Sequence, residues 1–285
     1  MTFHDVYEKL DARRTFVNRM MLGFLAVASL VAILPLIFVL YYVVHRGLQG
    51  LNLAFFTQLP KPVGETGGGL GNAVLGTLVL VTMGWVVGVP IGISAGVFLS
   101  EFRRSRFANL VRSSVELLAG VPSIILGIFA YALVVVPMHG FSALAGAFAL
   151  AIILIPTVAK TTEEVLKLVP DHIREAGLGL GLPRWKVILR IVLYGSRSGI
   201  LTGVMLGVAR ISGESAPLLF TAMNSQYWPR GIFAPISSLP VQIYTYAISP
   251  FDDWTQLAWT GSMVLVFVVL IANLAMRAIL GGKTK

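Results

Sequence analysis

Six runs of apolar residues, at about 22–44, 72–100, 113–136, 142–160, 196–221 and 255–279, are separated by stretches where charge, glycine and proline gather. Each run is close to or above the roughly 20 residues that a helix needs to cross a bilayer core. The pattern predicts an all-α membrane protein with six transmembrane helices, built as one domain over residues 22–285. Ahead of it, within residues 1–21, Phe3, Val6, Tyr7 and Leu10 recur at helical spacing. Residues 3–14 are therefore read either as an amphipathic helix on the inner membrane surface or as a frayed tail. The first apolar run is too long for a cleaved signal peptide and lacks a small-residue cleavage site after it, so it is expected to stay as an anchor.

Composition agrees with this pattern. The chain is 56% hydrophobic and 12% charged, with a mean hydropathy of +0.82; a soluble domain of 285 residues needs far more charge to cover its surface. With no cysteine, disulfides, Cys-ligated zinc and thiol catalysis are excluded together. A net charge of +9 invites a nucleic-acid reading. The basic residues nevertheless sit at the ends of apolar runs, so no nucleic-acid partner is expected. All but four of the 22 Lys and Arg residues fall on one side of the six-span arrangement; the exceptions are Arg46, Lys61, Arg230 and, inside a span, Arg210. By the positive-inside rule both termini are cytoplasmic, and the chain is a multi-pass protein of the cytoplasmic (inner) membrane. Two long connections, about 45–71 and 222–254, then face outward, and a third, about 161–195, faces the cytoplasm.

The cytoplasmic connection contains "PDHIREAGLGLGLPRWKVILRIVLY", residues 170–194. Pro170 and Asp171 suit a helix start, Gly181, Leu182 and Pro183 break that helix near residue 180, and a second helix begins near Arg184. On local features this is a helical hairpin whose basic residues touch lipid headgroups. It also resembles the EAA loop of permease subunits in bacterial ABC importers. Glu175 and Ala176 match that motif, as does Gly181, and after nine intervening residues so do Ile191 and Leu193. Gly177 replaces the second alanine and Tyr194 the closing proline. The resemblance implies a coupling helix that docks in a groove of an ATPase subunit, with Glu175, Ala176, Gly177, Gly181, Ile191 and Leu193 as the coupling residues.

The fifth run contains "ARISGESAPLL", residues 209–219, with Arg210 and Glu214 one helical turn apart. A charge at mid-bilayer costs about 2.5–3.5 kcal/mol, so such residues pair, face the protein interior or line a watery path. On a continuous helix Gly199, Gly203, Gly207, Gly213, Pro217 and Thr221 would share the face of Arg210 and Glu214, with Leu201, Val208 and Leu219 opposite. An internal i, i+4 ion pair is the plain reading. A pathway is the other, because an arginine offers five donors in a fork suited to a tetrahedral oxyanion.

"ARISGESAPLLF", together with "GGGLGNAVLGTL", "ELLAGVPSIILGIF" and "SLPVQIY", is similar to the A-type permease subunit of the bacterial phosphate ABC importer. This resemblance covers most of the chain from about residue 67 onward. It implies a type I ABC importer permease fold and a translocation path for inorganic phosphate carrying Arg210, Glu214, Gly213 and Ser215. It also implies a sibling permease as heterodimer partner, two ATPase subunits and an external phosphate-binding protein. The chain itself is then a transport subunit rather than an enzyme, and no cofactor or metal is expected.

Other features carry less. The terminal "GGKTK" hints at a P-loop, but Arg277 stands where the earlier glycine is required. "GETGGGLG", residues 64–71, reads either as an anion cradle of backbone amides or as a flexible lead into the second span. His4, His45, His139 and His172 are scattered, and Glu116, one turn from Arg112, reads as its interfacial partner. The rival functions are a permease for molybdate or sulfate, a stand-alone secondary transporter or channel, and an intramembrane enzyme. The last would need clustered acids or histidines that the runs lack.

Overall fold

The computed structural model describes the backbone of residues 3–65 and 67–281, and side chains from residue 14 to 275. The side-chain reading of residues 3–13 and the Gly-Lys-Thr hint at 282–284 lie outside the described residues. Among the described residues the chain is all helix, with no strand. In order these are α1 (Phe3–Gln49), a short α2 (Leu53–Thr57), α3 (Gly71–Glu101), α4 (Arg106–Gly120), α5 (Ser123–Ala130), a π-helical turn Tyr131–Val135 and α6 (Val136–Met138). Then come α7 (Ala143–Lys167), α8 (Asp171–Gly179), α9 (Arg184–Lys186), a second π-helical segment Val187–Leu193, α10 (Arg197–Ser212), α11 (Ala216–Thr221), α12 (Leu239–Ala247) and α13 (Asp252–Gly281).

Four helices, Arg14–Gln49 within α1, α3, α7 and α13 up to Ala275, are long and apolar enough to span by themselves. The other two expected spans are bent. Arg106–Gly120 meets Ser123–Met138 at 106°, and Arg184–Leu193 meets Arg197–Ser212 at 72°. The straight third span expected over 113–136 is thus corrected to two helices. Val121 is extended at φ −72° and ψ 131° ahead of Pro122, as the ring of a following proline favours. The fifth run is corrected likewise: α10 stops at Ser212, Gly213 closes it, and α11 restarts at Ala216.

The centre of the bundle is the pair α3 and α7. Gly84, Gly88, Gly92 and Gly96 form one ridge on α3, and α7 lies directly on it. A Cβ placed on Gly92 would stand 2.7 Å from Val158 Cβ, and one on Gly88 3.2 Å from the Ala151 carbonyl oxygen. Small residues let backbones approach so closely, which is how helices associate where lipid removes the hydrophobic drive. α10 runs antiparallel along α7, with Gly199 against Val165, Gly203 against Thr161 and Gly207 against Leu154. These glycines therefore face a packed helix.

The connections at 45–71 and 222–254 pack against this bundle. Gly69, Leu70 and Gly71 donate their amides to the carbonyls of Leu59, Phe55 and Gln58, so residues 69–71 are a fixed rather than loose lead into α3. In the 222–254 connection, α12 packs inward on α3 and α13, burying Leu239, Val241, Gln242 and Tyr246. α1 leans on α13 only through its last turns: Gln256 donates to the Arg46 carbonyl at 2.7 Å and Thr260 to that of Gly47 at 3.1 Å.

Candidate functional site: a broken helix with a charge pair, and a cytoplasmic hairpin

Arg210 occupies the last turn of α10, where the free carbonyl end of the helix favours a cation. Glu214 follows in the non-helical break, Gly213 precedes it, and Ser215 leads into α11, its carbonyl accepting from Leu218 and Leu219. Arg210 Nε and Glu214 Oε1 are 3.9 Å apart, with the side chains 52% and 17% exposed. The pair is too long for a hydrogen bond and is open on the arginine side, so the chain does not seal it as a static internal contact. The break is held from behind. Gly127 on α5 lies against Pro217 at the start of α11, where an added Cβ would meet Pro217 Cα at 2.6 Å. α5, beyond the Val121–Pro122 bend, thus touches α11, beyond the Gly213 break.

The expectation of one small-residue face shared with Arg210 applies only within α10; Gly213, Pro217 and Thr221 fall beyond its end at Ser212. Gly199, Gly203 and Gly207 are spent on α7, while Arg210 is exposed and Gly213 has only the Arg210 carbonyl oxygen near the place of a Cβ, at 3.8 Å. A helical wheel carried across residue 213 fails because the helix ends there.

The hairpin of α8 and α9 with the second π segment separates the residues expected to couple by their position. Glu175 and Ala176 are exposed on α8. Gly177 is buried, and a Cβ there would stand 2.9 Å from Ile191 Cδ1 and 3.0 Å from Val187 Cγ2, so the glycine lets α8 lie on the second π segment. Gly181 has φ +78°. Its amide donates to Leu178 and that of Leu182 to Gly177, the paired bonds of a helix C-terminus closed by a left-handed residue. Leu182, Ile191 and Leu193 are half-buried against the main core. The motif thus places two residues outward and uses the others to shape and seat the hairpin.

Two ion-pair groups escaped the sequence reading. Arg112 donates from Nη2 and Nε to Glu163 at 2.9 and 3.1 Å, and Lys167 joins Glu163 at 2.6 Å. The expected Arg112–Glu116 pair is therefore corrected: Glu116 is exposed, and Arg112 ties α4 to α7 instead. On α8, Arg174 donates to Glu101 and to the carbonyls of Leu166 and Val169, joining the ends of α3 and α7. Within these groups the i, i+4 spacing of Glu163 and Lys167 and the i, i+3 spacing of Asp171 and Arg174 were the signals visible in the sequence.

A family model described as "Binding-protein-dependent transport system inner membrane component" matches residues 88–281. The chain is 42% identical over 283 residues to the phosphate transport system permease protein PstA of Yersinia pestis, covering 99% of this chain and 96% of that one. It is 45% identical over 261 residues to PstA of Haemophilus influenzae, covering 91% and 92%. Among solved structures, an inward-facing conformation of the MetNI methionine ABC transporter superposes with a TM-score of 0.61 at 19% identity, covering 75% of this chain and 94% of that chain. The fold is accordingly that of an ABC importer permease of type I.

Proposed function

The chain belongs to the family of binding-protein-dependent transport system inner membrane components, and on that premise we propose that it is the permease subunit of an ATP-driven importer of inorganic phosphate. The supporting observation is the near full-length likeness to PstA permeases, coupled with an arginine–carboxylate pair left open at a helix break. Half of the Arg210 side chain faces away from its own chain. Acyl chains there would cost about 2.5–3.5 kcal/mol, so the open side belongs against a sibling permease, across a watery path formed between the two.

In this reading phosphate released by an external binding protein enters between the permeases and is held by Arg210. Glu214 offsets the arginine when the path is empty. Phosphate near neutral pH keeps a proton and donates it in a hydrogen bond to the Glu214 carboxylate. Sulfate and molybdate, fully ionised, meet repulsion from the same carboxylate. Gly213 and Ser215 supply the break that turns the carboxylate toward the path. Binding stays weak enough for release because the pair is internally neutral.

Energy enters at the other end. Two ATPase subunits engage the permease pair, and α8 presents Glu175 and Ala176 to one of them, with Gly177, Gly181, Ile191 and Leu193 fixing the hairpin's shape. Both termini lie in the cytoplasm, on the side rich in Lys and Arg. The direct test is ATP hydrolysis by the complete complex in vesicles. We expect stimulation by phosphate-loaded binding protein and none by its sulfate- or molybdate-loaded counterparts; transport without any ATPase would assign the chain to the secondary transporters.

A further inference from the structure

A groove of about 470 Å³ opens at the basic end of the bundle, lined by Arg103 and Arg104 from the turn after α3 and by Arg174 and Arg184 from the hairpin, with two carboxylates, Glu101 and Asp171, both paired with Arg174. Arg174 is committed to Glu101 and to two backbone carbonyls. The other three arginines are not matched by acids: among the described residues no carboxylate pairs with Arg103, Arg104 or Arg184. Arg103 spends its Nε on the Ser100 carbonyl at 2.9 Å, leaving its two terminal nitrogens to the groove. Arg184 lies over the Phe102 ring at 5.2 Å, which orients its guanidinium without neutralising it. Three guanidinium groups without a carboxylate partner line one groove, and that convergence points to an anion.

The rim tells which anion. Phe102 lines the groove and is 44% exposed; Phe98 stacks on it at 5.1 Å and meets Phe107, 61% exposed, at 5.6 Å. Phe102 stands in the turn between α3 and α4, and Phe107 in the first turn of α4. A free anion gains nothing from an apolar rim, whereas a phospholipid places its phosphate among arginines and its acyl chains along the neighbouring helices. Basic pockets between spans on the cytoplasmic side have the chemistry for such headgroups. The positive-inside rule accounts for the charge being on this side; it does not account for a walled groove with an apolar edge.

We propose that this groove binds the phosphate-bearing headgroup of an anionic phospholipid of the inner leaflet, with Arg103, Arg104 and Arg184 as ligands. The proposal rests on the basic end of the bundle facing the cytoplasm, and it stands or falls apart from phosphate transport.

The test uses the complete complex in nanodiscs of phosphatidylcholine containing phosphatidylglycerol, followed by native mass spectrometry of retained lipid. Wild type is expected to retain phosphatidylglycerol in preference to phosphatidylcholine. Arg104→Gln with Arg184→Gln should weaken that preference about thirtyfold, taking about one kcal/mol per arginine. Arg19→Gln, on the same side but on α1, should leave it in place. Equal loss in Arg19→Gln, or no headgroup preference in wild type, overturns the proposal. So does displacement of the lipid by millimolar inorganic phosphate, which would assign the groove to the free anion. Preference seen in the permease pair alone and lost once the ATPase is bound would assign it to an acidic surface of that partner, and also overturns it.

Discussion

Arg174 on α8 reaches Glu101 at the end of α3 with Nε 3.1 Å from Oε1, and the two side chains are only 13% and 6% exposed. These residues lie 73 positions apart. The helix expected to meet the ATPase is therefore fixed not only to α7, which precedes it in the chain, but also to a span with no neighbouring sequence. A push on α8 is carried by this pair into the α3–α7 centre, because packed helices joined by fixed contacts move as units.

Removing one partner of a buried ion pair leaves the other uncompensated, at about 3–5 kcal/mol. Arg174→Gln is expected to lower the thermal stability of the complex by an amount in that range. It should also reduce phosphate carried per ATP hydrolysed. Arg174→Lys keeps the charge opposite Glu101 but loses the fork to the Leu166 and Val169 carbonyls, and should fall between. Unchanged uptake per ATP in Arg174→Gln would confine the pair to stability.

Glu175 and Gly181 should separate cleanly. Glu175→Arg alters an exposed side chain, so melting of the isolated permease pair should stay within about 0.5 kcal/mol of wild type while ATPase co-purification is lost. Gly181→Ala forces an L-residue into the left-handed region at a cost of about 1–2 kcal/mol. Asn, which tolerates that region better, should cost less. A ranking of Ala as less damaging than Asn would contradict the helix-end geometry.

For the charge pair, Arg210→Gln should abolish phosphate uptake while leaving ATPase association intact. Arg210→Lys keeps charge without the planar fork and should retain a fraction of uptake. Glu214→Gln removes the repulsion proposed to exclude fully ionised anions, so sulfate competition should rise. Uptake assays with labelled phosphate and sulfate read all three; wild-type phosphate uptake in Arg210→Gln removes that residue from the path.

Gly92→Leu overpacks the α3–α7 contact at Val158. A cost of about 1–3 kcal/mol or more is expected, seen as a lowered melting temperature and reduced folded yield. The same change at Gly120, which has nothing within 4 Å of the place of a Cβ, should cost far less.

Hydrophobic run length alone determined that the chain is an all-α membrane protein and roughly where its spans lie, because any helix crossing a bilayer must be apolar over a fixed length. Short local signals were also legible: Pro170 and Asp171 opening α8, Gly181 closing it, and a charged pair at 210 and 214. What lay beyond the sequence was everything set by neighbours. The wheel drawn through Gly213 assumed a continuous helix, yet the break there is stabilised by Pro217 seated against Gly127, 90 positions away. The choice of Glu163 over Glu116 as partner for Arg112 depends on how α4 folds back onto α7 after Pro122. Nothing in the sequence marks Glu101 as the partner of Arg174, 73 positions away. Span formation is a local sum over consecutive residues, whereas bends and ion-pair partners are decided by which backbones can approach, and only the assembled tertiary structure fixes that.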